Sequence, residues 1–317
     1  MQQETPQSGY EEGYADIPGA RVHYLHAGTG PPMILIHGLV CSSANWRGNI
    51  DALARQASVY AIDLVDMGRS RRAGGVDHTL KATANRIVAV MDALNLPQAD
   101  IVAHSHGGSV ALMLAALHPA RVRRLILFAP ANPYNRSSDL MVRVYSTRWG
   151  GLLARMLPYL PKRYQRIALG EMYGGAHRVA DKCLQEIVDS LRRPATVRHV
   201  LCVIRCWFAE MVKLKAALRR VQWAPTLLIW GDCDRTISLD SGVKLSRKLH
   251  NSELVVVPAC GHSVFEEMPE ESNRIMQKWL TSHPLSPPRP RTLPRAASPA
   301  RATRRTAPIR RLSPSGQ

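Results

Sequence analysis

No stretch of the chain approaches the roughly 18 consecutive apolar residues that a membrane-spanning helix needs, which excludes an integral helical membrane protein. The opening Met1-Gln2-Gln3-Glu4-Thr5 has neither a basic region nor an apolar run. No secretory signal is read there, and the cytoplasm is the expected compartment. Cysteine is sparse and scattered: six in 317 residues, with no Cys-x-x-Cys pair, make no disulfide framework and are read as buried thiols in a reducing environment. His-x-x-x-His spacing is also missing. A metal site would have to draw on His37, His104, His106 and His262 with Asp63 and Asp66, but His104 and His106 flank a turn residue and are expected to point apart. No metal and no cofactor are expected.

Acidic residues are missing from one whole segment. Residues 283–317 hold eight arginines and no Asp or Glu, set among Pro, Ser and Ala with little to bury, and they are expected to be a disordered tail. The net charge of +18 therefore has to be divided before it is read. Residues 1–133 together with 223–282 hold 17 Lys+Arg against 18 Asp+Glu, whereas residues 134–222 hold 17 against 6. Arginine without interleaved aromatic rings lacks a base-stacking platform, so sequence-specific nucleic-acid binding is not expected. The charge leaves room for weak, salt-sensitive association with anionic surfaces through 134–222 and the tail. Trp149, Met156, Trp207, Phe208 and Met211 lie in that basic segment, where they suit either a carboxylated substrate or an anionic membrane surface.

What is present, first, is alternation. Behind a polar leader at 1–12, a hairpin is expected over Gly13–Ile17 and Arg21–Ala27 around Pro18-Gly19. Strand patterns at 33–36, 58–63, 100–104, 124–129, 226–231 and 253–258 then alternate with helical patterns near 44–56, 79–94, 106–118, 239–250 and 269–281. This order argues for a mostly parallel sheet with helices on both faces. The alternation stops between about Tyr134 and Gln222, where apolar residues recur only at helical spacing. That stretch reads as a helical insertion into an otherwise continuous core.

Second, a serine sits at a strand-to-helix corner. Ala103-His104-Ser105-His106-Gly107 follows the apolar run Ile101-Val102 and opens a small-residue helix, the place where a tight turn lifts a hydroxyl clear of the sheet. A serine hydroxyl is a weak nucleophile, and it needs a base and a group that orients the base. Downstream, the strand Thr226–Gly231 runs into Asp232-Cys233-Asp234, and the strand Glu253–Val257 runs into Cys260-Gly261-His262. Serine, acid and histidine thus follow one another at strand ends, with Asp232 and Asp234 both candidates for the acid.

Over roughly residues 13 to 282 the chain resembles the α/β-hydrolase superfamily of the serine-nucleophile, capped type. The resemblance rests on His37-Gly38 with Trp46 nine residues on, Asp63-Leu64-Val65-Asp66-Met67-Gly68-Arg69-Ser70, the Ser105 elbow, Gly231-Asp232-Cys233-Asp234, and Gly261-His262 followed by Glu267-Met268-Pro269. It implies an eight-stranded sheet, a core over 13–133 and 223–282, and a cap, or lid, over 134–222. It further implies Ser105 as nucleophile, His262 as base and then acid, and Asp234, three residues past Gly231, as the orienting acid. The backbone N–H groups of Leu39 and His106 are the implied oxyanion hole, and His37, Gly38, His104 and Trp207 line the expected substrate pocket. A carboxylesterase acting on a small-molecule ester, lactone or related acyl substrate is the leading expectation. Perhydrolase or haloperoxidase chemistry with the same triad, carbon-carbon bond hydrolysis and non-catalytic ligand reception are the alternatives. Ser105 excludes the dehalogenase and epoxide-hydrolase relatives, which use aspartate there.

Overall fold

The computed structural model describes residues 9–72, 75–170, 181–284 and 309–311. Strands β1 (Glu11–Ile17) and β2 (Ala20–Ala27) form the expected hairpin about Pro18-Gly19, and β3 (Pro32–Ile36), β4 (Ser58–Ile62), β6 (Ala99–His104), β7 (Val122–Phe128), β8 (Thr226–Gly231) and β9 (Ser252–Val257) complete eight strands; the two-residue β5 (Arg71–Arg72) pairs with β2. The sheet order is β1-β2-β4-β3-β6-β7-β8-β9. From β4 to β9 every pairing is parallel, while β2 meets β4 antiparallel. The burial of each strand matches its place: the central β6 and β8 are buried at every residue, as strands covered on both faces must be, whereas β1 at the edge exposes Glu11, Glu12, Tyr14 and Asp16.

Helices α1 (Ile50–Ala54), α2 (Leu80–Ala93), α3 (Ser105–Leu117), α9 (Leu239–Ser246), α10 (Val264–Glu267) and α11 (Pro269–Ser282) flank this sheet. Their apolar faces divide into two cores. One gathers Ile87, Val90, Leu112 and Leu245 with the sheet, and the other gathers Trp46, Leu53, Phe265 and Trp279. The helical pattern near 44–56 is broken in two, a 3₁₀ turn at Ser43–Trp46 and then α1, because Gly48 and Asn49 interrupt it.

Between β7 and β8 lie α4 (Asp139–Ser146), α5 (Arg148–Met156), α6 (Lys162–Gly170), α7 (Asp181–Leu191) and α8 (Pro194–Ala217). Ala154, Leu169, Leu184, Ile187 and Leu201 form a small core of their own there, whereas Val203, Trp207, Met211 and Leu214 of α8 join the main one. Ion pairs and hydrogen bonds also fasten the insertion. Arg47 grips Glu186 at 2.8 Å, Thr196 Oγ1 donates to the Asp66 carbonyl at 3.1 Å, and the Leu80 N–H donates to Glu210 at 2.8 Å.

Two boundaries differ from expectation. Glu11 and Glu12, assigned to the polar leader, already pair in β1 opposite His26 and Leu25, because the ladder is made by backbone and an edge strand tolerates exposed charged side chains. In the tail, expected to be disordered, 285–308 and 312–317 lie outside the described residues. Ile309–Arg311, however, forms β10, which runs parallel to β9 with Ile309 opposite Leu254. A strand edge recruits backbone whatever the side chains' composition, and composition was all that the expectation weighed.

At the end of the sheet opposite the strand termini that carry the site, Asp100 on β6 is 2 % exposed and takes Arg124 of β7 in a two-bonded pair, 3.1 Å to Nε and 2.6 Å to Nη2. Arg124 Nη1 reaches on to the Leu280 carbonyl at the end of α11. Removing one charge of a buried pair strands the other, so Asp100→Asn is expected to cost about 3–5 kcal/mol in urea unfolding. A loss below about 1 kcal/mol would mean that solvent reaches this pair.

Candidate active site

The order of strands reverses at β3, which has β4 on one side and β6 on the other, and ligand crevices in open α/β sheets form at such a switch point. Ser105 sits there, directly after β6, with φ at 51°. A left-handed non-glycine residue costs about 1–3 kcal/mol and survives only where its surroundings fix it. Here the fixing is close backbone contact: a Cβ at Gly107 would lie 2.4 Å from the His37 carbonyl oxygen. The Ser105 carbonyl accepts from the Ala131 N–H at 2.9 Å. The first amides of α3, that of His106 among them, have no partner inside the helix and carry the positive end of its dipole.

The loop after β3 lies against this elbow. A Cβ on Gly38 would stand 3.2 Å from the Ser105 Cβ. The turn that follows is closed by the Cys41 N–H to the Gly38 carbonyl at 3.4 Å and holds Val40 at φ 61°.

The acid and histidine loops meet in the same manner. A Cβ at Gly231 would lie 2.2 Å from the carbonyl oxygens of both Cys260 and Gly261. Of the two candidate acids, Asp232 is exposed and Asp234 is buried. His262 Nδ1–H donates to Asp234 Oδ2 at 2.7 Å, and Asp234 Oδ1 accepts from the N–H groups of Thr236 at 2.8 Å and Ile237 at 2.9 Å. Glu267 receives the N–H groups of Gly261 and Ser263 at 2.9 and 3.2 Å, which steadies the histidine from both sides.

His104, expected as a pocket residue, is fully buried behind the site. Its Nε2–H donates to the His262 carbonyl at 3.2 Å with the two rings 4.6 Å apart, and burial next to His262 pulls its pKa well below the ordinary value. A neutral ring thus ties the residue before Ser105 to the histidine loop. His37, also expected to line the pocket, is a strut. Its Nδ1–H donates to the Gly38 carbonyl at 2.7 Å and its Nε2 accepts the Leu64 N–H at 3.0 Å, so both ring nitrogens are spent on backbone. Trp207, on α8, stands near His106 at a cavity of about 10 Å³, close to the size of one water, which Val203, Met211 and His78 also line.

Two residues at this wall carried no sequence signal. His78, from the loop before α2, and His199, on α8, have ring centroids 4.4 Å apart, and His199 lies 6.3 Å from His106. A lone histidine in a polar loop and another in a basic helix reveal nothing until the insertion folds over the core. All three are buried, and neither ring nitrogen of His106 has a hydrogen-bond partner among the described residues. Burial, reinforced by His37 and His78, holds the His106 pKa down at about 4. Among the described residues no group of His, Cys, Asp and Glu converges on a metal position.

The sequence profile of the alpha/beta hydrolase fold matches residues 31–269. The chain belongs to the α/β-hydrolase family. It is 29 % identical over 270 residues to 2-hydroxymuconate semialdehyde hydrolase of Pseudomonas sp. (strain CF600), covering 81 % of this chain and 90 % of the relative. It is 26 % identical to 2-hydroxy-6-oxo-2,4-heptadienoate hydrolase of Pseudomonas putida, covering 83 % and 94 %. Among solved structures, the meta-cleavage product hydrolase of Pseudomonas fluorescens IP01 superposes with a TM-score of 0.72 at 23 % identity, covering 86 % of this chain and 98 % of that one. A bacterial membrane phospholipase A superposes with a TM-score of 0.70 at 24 % identity, covering 87 % of each. At these identities the two structures speak for the fold.

The buried histidine wall is expected to make the stability of this α/β-hydrolase fall in acid. Unfolded His106 takes its proton near pH 6.5, whereas the folded ring takes it at about 4. Its stability contribution is therefore intact above about pH 6.5 and is lost as the pH falls towards 4, by about 2 kcal/mol at pH 5. Urea midpoints measured from pH 7.5 down to pH 5 should fall, and His106→Asn should flatten that fall. An unchanged slope in the variant would show that the ring does not titrate as a buried neutral group.

Proposed function

We propose that this hydrolase is a serine enzyme that cleaves a carboxylic ester, or a related acyl compound such as a lactone, through an acyl-enzyme on Ser105. The observation that carries the reading is the buried 2.7 Å hydrogen bond from His262 Nδ1–H to Asp234 Oδ2, in loops that close on a serine held at a left-handed elbow. With that proton committed to Asp234, His262 Nε2 keeps its lone pair and can take the Ser105 hydroxyl proton as Oγ attacks the carbonyl carbon. The N–H groups of Leu39 and His106 receive the oxyanion, and His262 then passes its proton to the departing alkoxide. Water repeats the sequence on the acyl-enzyme, which releases the acid and restores Ser105.

A second reading, carbon-carbon bond hydrolysis, is favoured by the two Pseudomonas relatives. The bond broken would then join the attacked carbonyl to a carbon of a 2-hydroxy-6-oxo-dienoate, and the proton would have to arrive at carbon. Such a substrate carries a carboxylate. The ester reading leads because Ser105, His262 and Asp234 supply every proton transfer that it needs, whereas carbon-carbon cleavage also needs the leaving carbon held for protonation and its carboxylate bound.

A fluorophosphonate should label the purified protein at Ser105, and p-nitrophenyl esters of graded chain length should be hydrolysed with one optimum. Ser105→Ala should bring turnover to the background rate, and Asp234→Asn should lower kcat by about four orders of magnitude. Faster consumption of 2-hydroxy-6-oxo-2,4-heptadienoate than of any ester would decide for the second reading. Labelling at another residue would overturn both.

A further inference from the structure

Helix α5 is inside out. Its large apolar residues Trp149, Leu152, Leu153 and Met156 recur at the i, i+3, i+4, i+7 spacing that normally faces a core. Here they are 78, 48, 56 and 51 % exposed, while Gly150, Gly151 and Ala154 turn inward. The helix packs against the backbone of α4 at Val144 and Tyr145 through Gly150 and against α8 through Gly151, with Leu201 Cδ1 only 3.5 Å from where a Cβ of Gly151 would be. The pattern extends to its neighbours. Polar Gln165 of α6 is buried while Ile167 is 65 % exposed, and Leu140 of α4 is 75 % exposed. Of the fifteen exposed large hydrophobic side chains among the described residues, eleven lie between Leu140 and Ile167.

The same stretch is strongly cationic. From Arg136 to Ile167 there are seven Lys+Arg and one acid, Asp139. Arg143, Arg148, Arg155, Lys162 and Arg163 are exposed alongside the apolar side chains. A soluble surface does not gather apolar area of this kind without an occupant. The charge says which occupant: Trp and Leu beside Arg and Lys on short amphipathic helices fit the boundary between anionic headgroups and acyl chains. No helix among the described residues is long and apolar enough to cross a membrane, so the contact is with a surface.

We propose that the outer face of α4–α6 docks on the surface of a bilayer containing anionic lipid, with Trp149 and Leu153 entering the acyl boundary. Helix α8 then lies between that bilayer and the nucleophile elbow, since its His199 ring lies 6.3 Å from His106 while its Leu201 backs α5. The docking is read by binding alone, so it stands or falls apart from the catalytic assignment.

The test uses the full chain with vesicles of phosphatidylcholine, either alone or mixed with phosphatidylglycerol. Binding to the mixed vesicles is expected to exceed binding to the neutral ones and to weaken in high salt. Lipids brominated along their acyl chains should quench tryptophan fluorescence, and Trp149→Phe should lose that quenching. Trp149→Ala combined with Leu153→Ala should weaken binding about tenfold or more, from the lost apolar burial. The thermal midpoint should not move, because both side chains are exposed. Binding without quenching would assign the contact to the arginine-rich tail and overturn the proposal. So would a concentration-dependent dimer abolished by the double variant with no vesicle binding, which would make a second copy the occupant.

Discussion

Everything at the elbow depends on backbone being allowed to touch backbone. Ser105 keeps its left-handed φ because α3 starts directly beneath the His37 carbonyl, and Gly107 is where a side chain would prevent it. At Gly231 the same rule brings the acid loop against the carbonyls that precede His262. The histidine and its carboxylate thus take their positions from main-chain contacts between strand ends, which a packed interior holds to a fraction of an ångström. Side chains add the last restraint: His104 binds the His262 carbonyl, and Glu267 collects the amides on either side of it.

The layers above that platform are held differently. The core buries two continuous apolar clusters, while α5, α6 and α7 share a small one of their own and meet the core through directional bonds, such as Arg47 to Glu186. Helix α8 belongs to both. Its Trp207 and Met211 join the main core and its Val197 and Leu201 join the smaller one. The helix that carries His199 is thus in contact with α5 as well as with the core.

The parts legible in the sequence were those in which a local pattern has a single structural meaning. Buried runs ending in Gly231-Asp232-Cys233-Asp234 and Gly261-His262 read as strand ends and placed an acid before the histidine, while the choice of Asp234 over Asp232 came from the family resemblance. Legibility failed where a side chain's task depends on a distant backbone group. His37 looked like a pocket residue and is consumed by Leu64 and Gly38, and His78 and His199 meet only once α8 lies across the core. Asp66, in the loop after β4, adopts φ 70° and turns its carboxylate to Arg72 at 3.1 Å. Aspartate tolerates that conformation when its side chain finds a partner. Helix α5 misleads in the opposite sense, since its periodicity is clear and its apolar stripe faces outward.

β10 changes what the sheet offers to other chains. With β9 outermost, a run of Val255-Val256-Val257 would present an unpaired row of amides and carbonyls, the template on which edge-to-edge aggregates grow. Three residues of the arginine-rich tail occupy that row, Ile309 opposite Leu254 and Arg311 opposite Val256. An incoming strand therefore meets the three-residue edge of β10 in place of most of the six-residue edge of β9. Ile309–Arg311 thereby cover the edge that β9 would otherwise leave open.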